Sequence, residues 1–156
     1  MIGRLAYSSC QKNLYFNVYF KSNVIKITFD LKSGYHHLDI HPDSHKCLGF
    51  SWNINGYTRF FEFTVLPFGL SPAPYIFTKV LKPLITHWRS CGIMVAVYLD
   101  DGFISVPATG TDIANALQIS KHVRVDLMRA GFVYNIEKSK WHPCASTEWL
   151  GMEWDT

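Results

Sequence analysis

The spacing of hydrophobic residues predicts strands in the first half of the chain. Residues 24–29 alternate and are rich in β-branched types, which predicts a strand that ends at Asp30. Two aromatic-rich stretches, residues 47–53 and 57–64, are separated by Asn55-Gly56, a dipeptide that favours a two-residue hairpin turn. The sequence therefore predicts a strand followed by a β-hairpin.

A second set of short apolar runs follows in the second half. The runs at 93–99 and 103–106 flank Asp100-Asp101-Gly102, a tripeptide that favours a tight turn. Two further strands are predicted at 138–142 and 147–154, where short apolar and aromatic stretches return.

Two helices are predicted between these strands. The first begins at Ser71-Pro72 as N-cap and first helical residue, contains Pro83, which should kink it, and ends near Gly92. The second begins at Thr111 and ends at Gly131. The expected apolar stripes are Ile76, Phe77, Val80, Leu81, Leu84 and Trp88 on the first helix and Ile113, Ala116, Leu117, Val123 and Leu127 on the second. This order of elements favours an α+β fold, an antiparallel sheet with helices on one face.

Composition supports a folded domain and restricts its partners only weakly. The 156 residues are 48% hydrophobic and 17% charged, which excludes intrinsic disorder and a coiled coil. The net charge of +3, without a dense Lys/Arg block, is compatible with a polyanionic partner but does not by itself indicate one.

Targeting signals and cysteine patterns point to an intracellular protein. No apolar run approaches the ~18 residues that a membrane span needs, and the opening residues lack the order of a secretory signal. The four cysteines are widely separated, without a CxxC pattern, and read as reduced thiols. The sequence does not distinguish nucleus from cytoplasm.

Adjacent carboxylates are the main candidate chemistry. Asp100 and Asp101 repel each other, so that one must keep its proton or both need a cation. If the strand that ends at Asp30 is their neighbour, three carboxylates converge, and such oxygen clusters suit a pair of Mg²⁺ or Mn²⁺ ions. Taken alone, the dipeptide is more often a solvent-exposed turn than a metal site.

Five short motifs resemble successive motifs of reverse transcriptases, in the same order and with similar spacing. They are FDLKSGYH at 29–36, LPFGLSPAP at 66–74, YLDD at 98–101, NIEKSK at 135–140 and WLG at 149–151. The similarity covers residues 24–156 and is greatest to retrotransposon enzymes of the DIRS-type and LTR-type. It implies a polymerase palm, a ferredoxin-like antiparallel sheet with helices on one face, together with partial fingers.

The resemblance implies roles for the matching residues. Asp30, Asp100 and Asp101 would be catalytic and, with the carbonyl of Leu31, would bind two Mg²⁺ ions, for which Mn²⁺ can substitute. Tyr35 would be the steric gate against a ribose 2′-hydroxyl. The other nucleotide-binding residues would be Lys32, Ser33, Gly34, Phe68, Gly69 and Lys138, with Lys138 beside the pyrophosphate, and the primer-binding residues would be Tyr98, Leu150 and Gly151.

The resemblance also implies partners and missing parts. The partners would be dNTPs and a primer on an RNA or DNA template. Residues 1–23 match poorly, and we find no thumb or RNase H segment, so the expected domain is a palm with partial fingers at 24–156. The alternative is a non-catalytic remnant that only folds or binds nucleic acid.

A second candidate metal site consists of closely spaced histidines. His36, His37, His41 and His45 fall within ten residues, alongside Asp39 and Asp43. On a strand, His37, Asp39 and His41 would share one face and could bind Zn²⁺ or Ni²⁺. Pro42 disturbs that spacing, and a solvated loop is the simpler interpretation.

Overall fold

The computed structural model describes residues 24–108 and 112–155 and contains eight strands and three helices within these ranges. The strands are β1 (Val24–Asp30), β2 (Gly49–Ile54), β3 (Tyr57–Glu62), β4 (Met94–Tyr98), β5 (Asp101–Pro107), β6 (Lys140–Cys144), β7 (Thr147–Trp149) and β8 (Met152–Trp154). The helices are α1 (Pro42–His45), α2 (Ala73–Ser90) and α3 (Asp112–Arg129), and a 3₁₀ helix spans Gly34–His37.

A four-stranded antiparallel sheet in the order β4-β5-β1-β6 forms the centre of the fold. In β1, Ile27 and Phe29 point into one core with Phe77, Leu81 and Trp88 of α2. Because side chains alternate along a strand, the residues between them face away from that core. The predicted α+β arrangement, with helices packed on an antiparallel sheet, is confirmed.

Phe29 occupies the middle of the core and depends on a glycine in the neighbouring strand. Its ring stacks on Trp141 at 5.5 Å with an interplanar angle of 2°, and Trp88 meets it edge-on at 6.2 Å. Gly102 is its cross-strand partner in β5. A Cβ atom at Gly102 would lie 2.1 Å from Cζ of Phe29, so any side chain there would collide with the ring.

The opposite face of the sheet is covered by the hairpin of β7 and β8. The Phe103 ring, which neighbours Gly102 in β5, lies 5.2 Å from Trp149 and 6.3 Å from Trp154. Leu150 and Gly151 form the turn, with φ of 52° and 72°. The single strand predicted at 147–154 was therefore wrong, because both turn residues adopt the left-handed conformation that reverses the chain.

The predicted hairpin of β2 and β3 is confirmed. Asn55 and Gly56 form its turn with φ of 53° and 82°, and register runs from Ile54 opposite Tyr57 to Gly49 opposite Glu62. Every residue of both strands is exposed, so the hairpin projects from the core among the described residues.

The turn between β4 and β5 lies earlier than predicted. Tyr98 pairs with Asp101, and the connecting residues are Leu99, with φ of 53°, and Asp100. The prediction of a turn at Asp100-Asp101-Gly102 was wrong because Gly102 is needed within β5, beneath the Phe29 ring.

Helix α2 begins without the predicted side-chain cap. Pro72 is the N-cap residue, no side chain caps it, and the amide of Ala73 donates to the carbonyl of Leu70 at 2.9 Å. The Ser71 cap was therefore wrong, because a backbone turn satisfies the first amide. The helix includes Pro83 and ends at Ser90, with Gly92 in the left-handed conformation as predicted.

The buried stripes of the long helices are narrower than predicted. Phe77, Leu81 and Trp88 of α2 are buried, and so are Ala116, Val123 and Leu127 of α3. The flanking positions Ile76, Val80, Ile113 and Leu117 are exposed, because each helix meets the sheet along a single line. Thr111, the predicted cap of α3, lies outside the described residues.

Strand β6 begins two residues later than predicted. The chain turns first, with the amide of Ser139 donating to the carbonyl of Asn135 at 3.0 Å. Among the described residues, no helix is long and apolar enough to cross a membrane.

The collision at Gly102 generates a stability prediction. Gly102→Ala should lower the free energy of unfolding by about 1–3 kcal/mol, as overpacking of a filled core does, because the stacked Phe29 ring has no room to move. Gly49→Ala is the matched control, because its Cβ would lie 3.7 Å from the nearest atom on an exposed strand. Equal stability of the two variants in urea unfolding would contradict the prediction.

Candidate active site

Three aspartates meet at one end of the central sheet. Asp30 ends β1 directly opposite Asp101, which begins β5. Asp100 belongs to the preceding turn, and its carbonyl accepts the Leu31 amide at 2.9 Å. The pairing of β1 with β5 therefore brings together residues that are far apart in the sequence.

The backbone of Asp30 is held by residues that follow α3. Its amide donates to Oγ of Ser139 at 3.1 Å, and its carbonyl accepts the amide of Asn135 at 2.7 Å. Sequence reasoning gave neither residue a role. The available signal was Asn135, whose Oδ1 accepts the amide of Glu137 at 3.1 Å in a local turn typical of asparagine.

The carboxylates repel one another electrostatically. Burial raises the pKa of Asp101 above its ordinary value, and the negative charges of Asp100 and Asp30 raise it further, while Lys138 opposes the shift. Nζ of Lys138 lies 3.8 Å from Oδ2 of Asp30 and is otherwise largely exposed. A single lysine thus supplies part of the positive charge that three carboxylates need.

These groups have the chemistry of a divalent-cation site. The carboxylates offer oxygen ligands, which Mg²⁺ and Mn²⁺ prefer. On either side of Leu31, the Lys32 amide donates to the Val133 carbonyl and the Asn135 amide donates to the Asp30 carbonyl. The Leu31 carbonyl takes part in neither of these hydrogen bonds. The three carboxylates do not bring one oxygen each within 4.8 Å of the others. The donor set fits a cation that would offset the repulsion among the carboxylates.

Tyr35 lies beside the carboxylates in a nearly buried position. Its ring packs 4.8 Å from Phe68 and 5.1 Å from Phe77. Burial raises the pKa of its hydroxyl, and the charge of Asp100 raises it further. A Cβ atom at Gly34 would lie 2.9 Å from Phe77 and 3.3 Å from Cβ of Asp100, so the 3₁₀ helix packs closely against the aspartate turn.

The backbone amides of the segment before Tyr35 are only partly available to a phosphate. The Lys32 amide donates to the Val133 carbonyl at 2.8 Å and so is not a free donor for a phosphate, although its side chain is exposed. Ser33, with φ of 54°, and Gly34 open the 3₁₀ helix, where the first amides lack acceptors within the helix.

The remaining expected residues lie around this end of the sheet or on its covered face. Phe68 is 60% exposed over Tyr35, and Gly69 follows with φ of 86°. Tyr98 is exposed and pairs with Asp101. Leu150 and Gly151 lie in the turn of the β7–β8 hairpin, which covers Phe103.

The histidine-rich segment does not form the alternative metal site. His37, Asp39 and His41 do not lie on one strand, because the chain forms a 3₁₀ helix and then α1. The His37 ring bonds to the Gly34 carbonyl at 3.1 Å and accepts the Val133 amide at 3.1 Å. The His45 ring bonds to the Ile40 carbonyl at 2.8 Å. These histidines are used in local backbone contacts.

Solved structures identify the class of fold. The chain is similar to the protease-reverse transcriptase of prototype foamy virus, with a TM-score of 0.72 and 26% identity over 88% of this chain and 17% of that one. A foamy viral protease-reverse transcriptase in complex with an RNA/DNA hybrid gives a TM-score of 0.71 and 24% identity, over 97% and 18% of the two chains. The fold is that of the polymerase domain of reverse transcriptases.

Sequence comparison gives the family. A family model described as reverse transcriptase (RNA-dependent DNA polymerase) matches residues 8–154, and the chain belongs to this family. It is also 38% identical over 73 residues to the genome polyprotein of Petunia vein clearing virus (isolate Shepherd), which covers 47% of this chain. The chain spans 3% of that polyprotein and less than a third of the foamy virus proteins.

The raised pKa of Asp101 generates a prediction about pH. The folded chain holds the proton of the Asp101 carboxyl group more tightly than the unfolded chain does. Ionisation of this group therefore lowers the free energy of unfolding as the pH rises above about 3.8. In EDTA at pH 7, Asp101→Asn should therefore melt a few degrees higher than the native chain, and the difference should disappear below pH 4.

The control for this prediction is Glu62→Gln, which removes an exposed carboxylate from β3. Its melting temperature should follow that of the native chain at each pH. If Asp101→Asn melts no higher than Glu62→Gln at pH 7, the repulsion among the carboxylates does not lower the stability of the fold, and the prediction is wrong.

Proposed function

We propose that this chain is the palm, with partial fingers, of an RNA-directed DNA polymerase that adds dNTPs to a primer 3′-hydroxyl by two-metal nucleotidyl transfer. The observation that carries the proposal is the pairing of Asp30 with Asp101 at the strand ends, with Asp100 tied to Leu31 beside them. Membership of the reverse transcriptase family supports it. The predicted domain boundary, with a poorly matched segment at 1–23 and the palm with partial fingers at 24–156, stays a prediction.

The metal-binding residues in this proposal are Asp30, Asp100, Asp101 and the carbonyl of Leu31. Two Mg²⁺ ions held there, or Mn²⁺ in their place, would lower the pKa of the primer 3′-hydroxyl and would neutralise charge on the triphosphate. The contribution of the protein itself is to position the carboxylates. Ser139 and Asn135 hold the backbone of Asp30 from both sides, which fixes where its carboxylate begins.

The nucleotide would lie between the aspartates and Tyr35. The closeness of Gly34 to Asp100 supports this position, because it puts the Tyr35 ring next to the carboxylates without an intervening side chain. Phe68 and Gly69 would border the base and sugar, and Lys138 would contact the departing pyrophosphate from its exposed position near Asp30. Lys32 would contribute its side chain, since its amide is already bonded.

Nucleic acid is the proposed partner. Two of the similar solved structures are foamy viral proteins in complex with an RNA/DNA hybrid and with dsDNA. The primer strand would contact Tyr98, next to Asp101, and the turn of Leu150 and Gly151. Further fingers, thumb and RNase H segments would complete the grip on the phosphate backbone, which dominates affinity for nucleic acid. The DIRS-type or LTR-type origin and an intracellular location stay predictions from the sequence.

The proposal is tested by transplanting the chain. Residues 1–156 would replace the matching segment of the foamy virus protein, and primer extension would be measured on RNA and DNA templates with Mg²⁺. Asp100→Asn should reduce dNTP incorporation at least about a hundredfold, the effect of losing one preorganised charge contact to the transition state. Binding of primer–template should be unchanged.

Asp43→Asn is the matched control, because the Asp43 carboxylate is 90% exposed on α1. It should extend primers at the native rate. If the chimera melts cooperatively and binds primer–template but extends no faster than Asp100→Asn, the chain is the non-catalytic alternative.

Tyr35 is tested through sugar selectivity in the same chimera. Tyr35→Ala should raise the ratio of kcat/KM for ribonucleotides over deoxynucleotides about tenfold or more, because a repulsive contact is removed. Tyr35→Phe keeps the ring and should keep the selectivity. Tyr75→Ala, at an exposed tyrosine of α2, is the control. The ratio does not depend on the active fraction, so a change of stability cannot imitate the effect.

A further inference from the structure

Two histidines, a cysteine and an aspartate form a cluster on the helices, away from the aspartate end of the sheet. Cys91 Sγ lies 3.9 Å from Nε2 of His87, which is one turn earlier on α2. On α3, Nε2 of His122 lies 3.1 Å from Oδ2 of Asp126, and Nε2 of His87 lies 3.8 Å from the same oxygen. In the described ranges, His87, Cys91 and His122 are the one group of three whose ligand atoms all lie within 4.8 Å.

These separations fit a single ion at the centre of the cluster. Zinc bonds of about 2.0–2.3 Å in a tetrahedral site separate the ligand atoms by about 3.3–3.6 Å. The Cys91–His87 separation of 3.9 Å is slightly longer than that range, and the ligand atoms of His87, Cys91 and His122 all lie within 4.8 Å of one another. Small side-chain rotations would therefore suffice to bind an ion.

The positions of the groups are set by the packing of the two helices. The Asp126 side chain is only 16% exposed and accepts a hydrogen bond from Nε1 of the buried Trp88 at 3.0 Å. The two imidazole rings lie nearly parallel, with their centres 5.9 Å apart. The amide of Cys91 donates to the carbonyls of His87 and Trp88, which fixes its place at the end of α2.

We propose that His87, Cys91 and His122 bind a zinc-class transition-metal ion, and that the Asp126 carboxylate, 3.1 and 3.8 Å from the two imidazoles, positions the histidines. Imidazole and thiolate donors prefer Zn²⁺ or Co²⁺ and discriminate against Mg²⁺, whereas the aspartates at the sheet have only oxygen donors. A bound ion would join the end of α2 to α3 and stabilise the helical layer. Without a metal, contacts of Asp126 with the two histidines and a hydrogen bond between Cys91 and His87 would account for the same cluster, and the binding of Co²⁺ separates the two explanations.

Cobalt is the sharpest probe, because a cobalt–thiolate bond gives a charge-transfer absorption that carboxylates cannot produce. The reduced 156-residue chain would be titrated with Co²⁺ in excess Mg²⁺, which occupies oxygen-only sites. We expect one equivalent to bind with that absorption. Cys91→Ser should abolish the absorption, and His87→Gln and His122→Gln should weaken binding.

Matched controls are available elsewhere in the chain. Cys47→Ser removes another exposed thiol and His142→Gln another exposed histidine, and both should bind Co²⁺ as the native chain does. Asp126→Asn should keep the absorption but bind about 10- to 100-fold more weakly. Unchanged affinity in Asp126→Asn would overturn its role in positioning the two histidines.

Thermal melting supplies an independent readout. One equivalent of Zn²⁺ should displace Co²⁺ and raise the melting temperature of the native chain and of Cys47→Ser, but not of Cys91→Ser. The site would be refuted if Cys91→Ser kept the charge-transfer absorption, or if Zn²⁺ raised its melting temperature as much as that of the native chain.

Discussion

The contact between the Phe29 ring and the bare backbone of Gly102 is the constraint on which the rest of the structure depends. It holds β1 and β5 in one register, because any other residue opposite Phe29 would place a side chain in the ring. A slip of one residue would turn every side chain of β1 to the other face. The same register sets Asp30 opposite Asp101. The position of the carboxylates therefore follows from packing in the core, on the other face of the sheet.

The site concentrates features that oppose stability. Burial and neighbouring negative charge raise the pKa of Asp101, and Lys138 offsets only part of that charge. Backbone strain lies at the same place, because Ser33 and Leu99 have φ of 54° and 53°, and both flank the aspartates in the fold. Such conformations persist where the surrounding structure enforces them. Here the enforcing contacts include the bond from Leu31 to the Asp100 carbonyl.

The sequence predicts the elements whose signals are local. Strand β1 and the Asn55-Gly56 hairpin follow from alternation and turn chemistry, and both are found. The turn before β5 could not be placed, because its position depends on a tertiary contact of Gly102. At the site, motif similarity predicted the roles of the three aspartates, and the fold brings Asp30 and Asp101 together as a cross-strand pair. The Ser139 contact with Asp30 and the cluster on the helices carry no local signal, because each joins residues from different elements.

Trp88 contacts both the core beneath the sheet and the residue cluster on the helices. Its ring packs edge-on against Phe29, and its Nε1 donates to Asp126. One buried side chain thus contacts both the ring that sets the register of β1 and the Asp126 carboxylate beside the two histidines. Because interiors are close-packed, Trp88 cannot move at one contact without disturbing the other. The position of α2 is therefore fixed from both sides, by the core beneath it and by the hydrogen bond to Asp126 on α3.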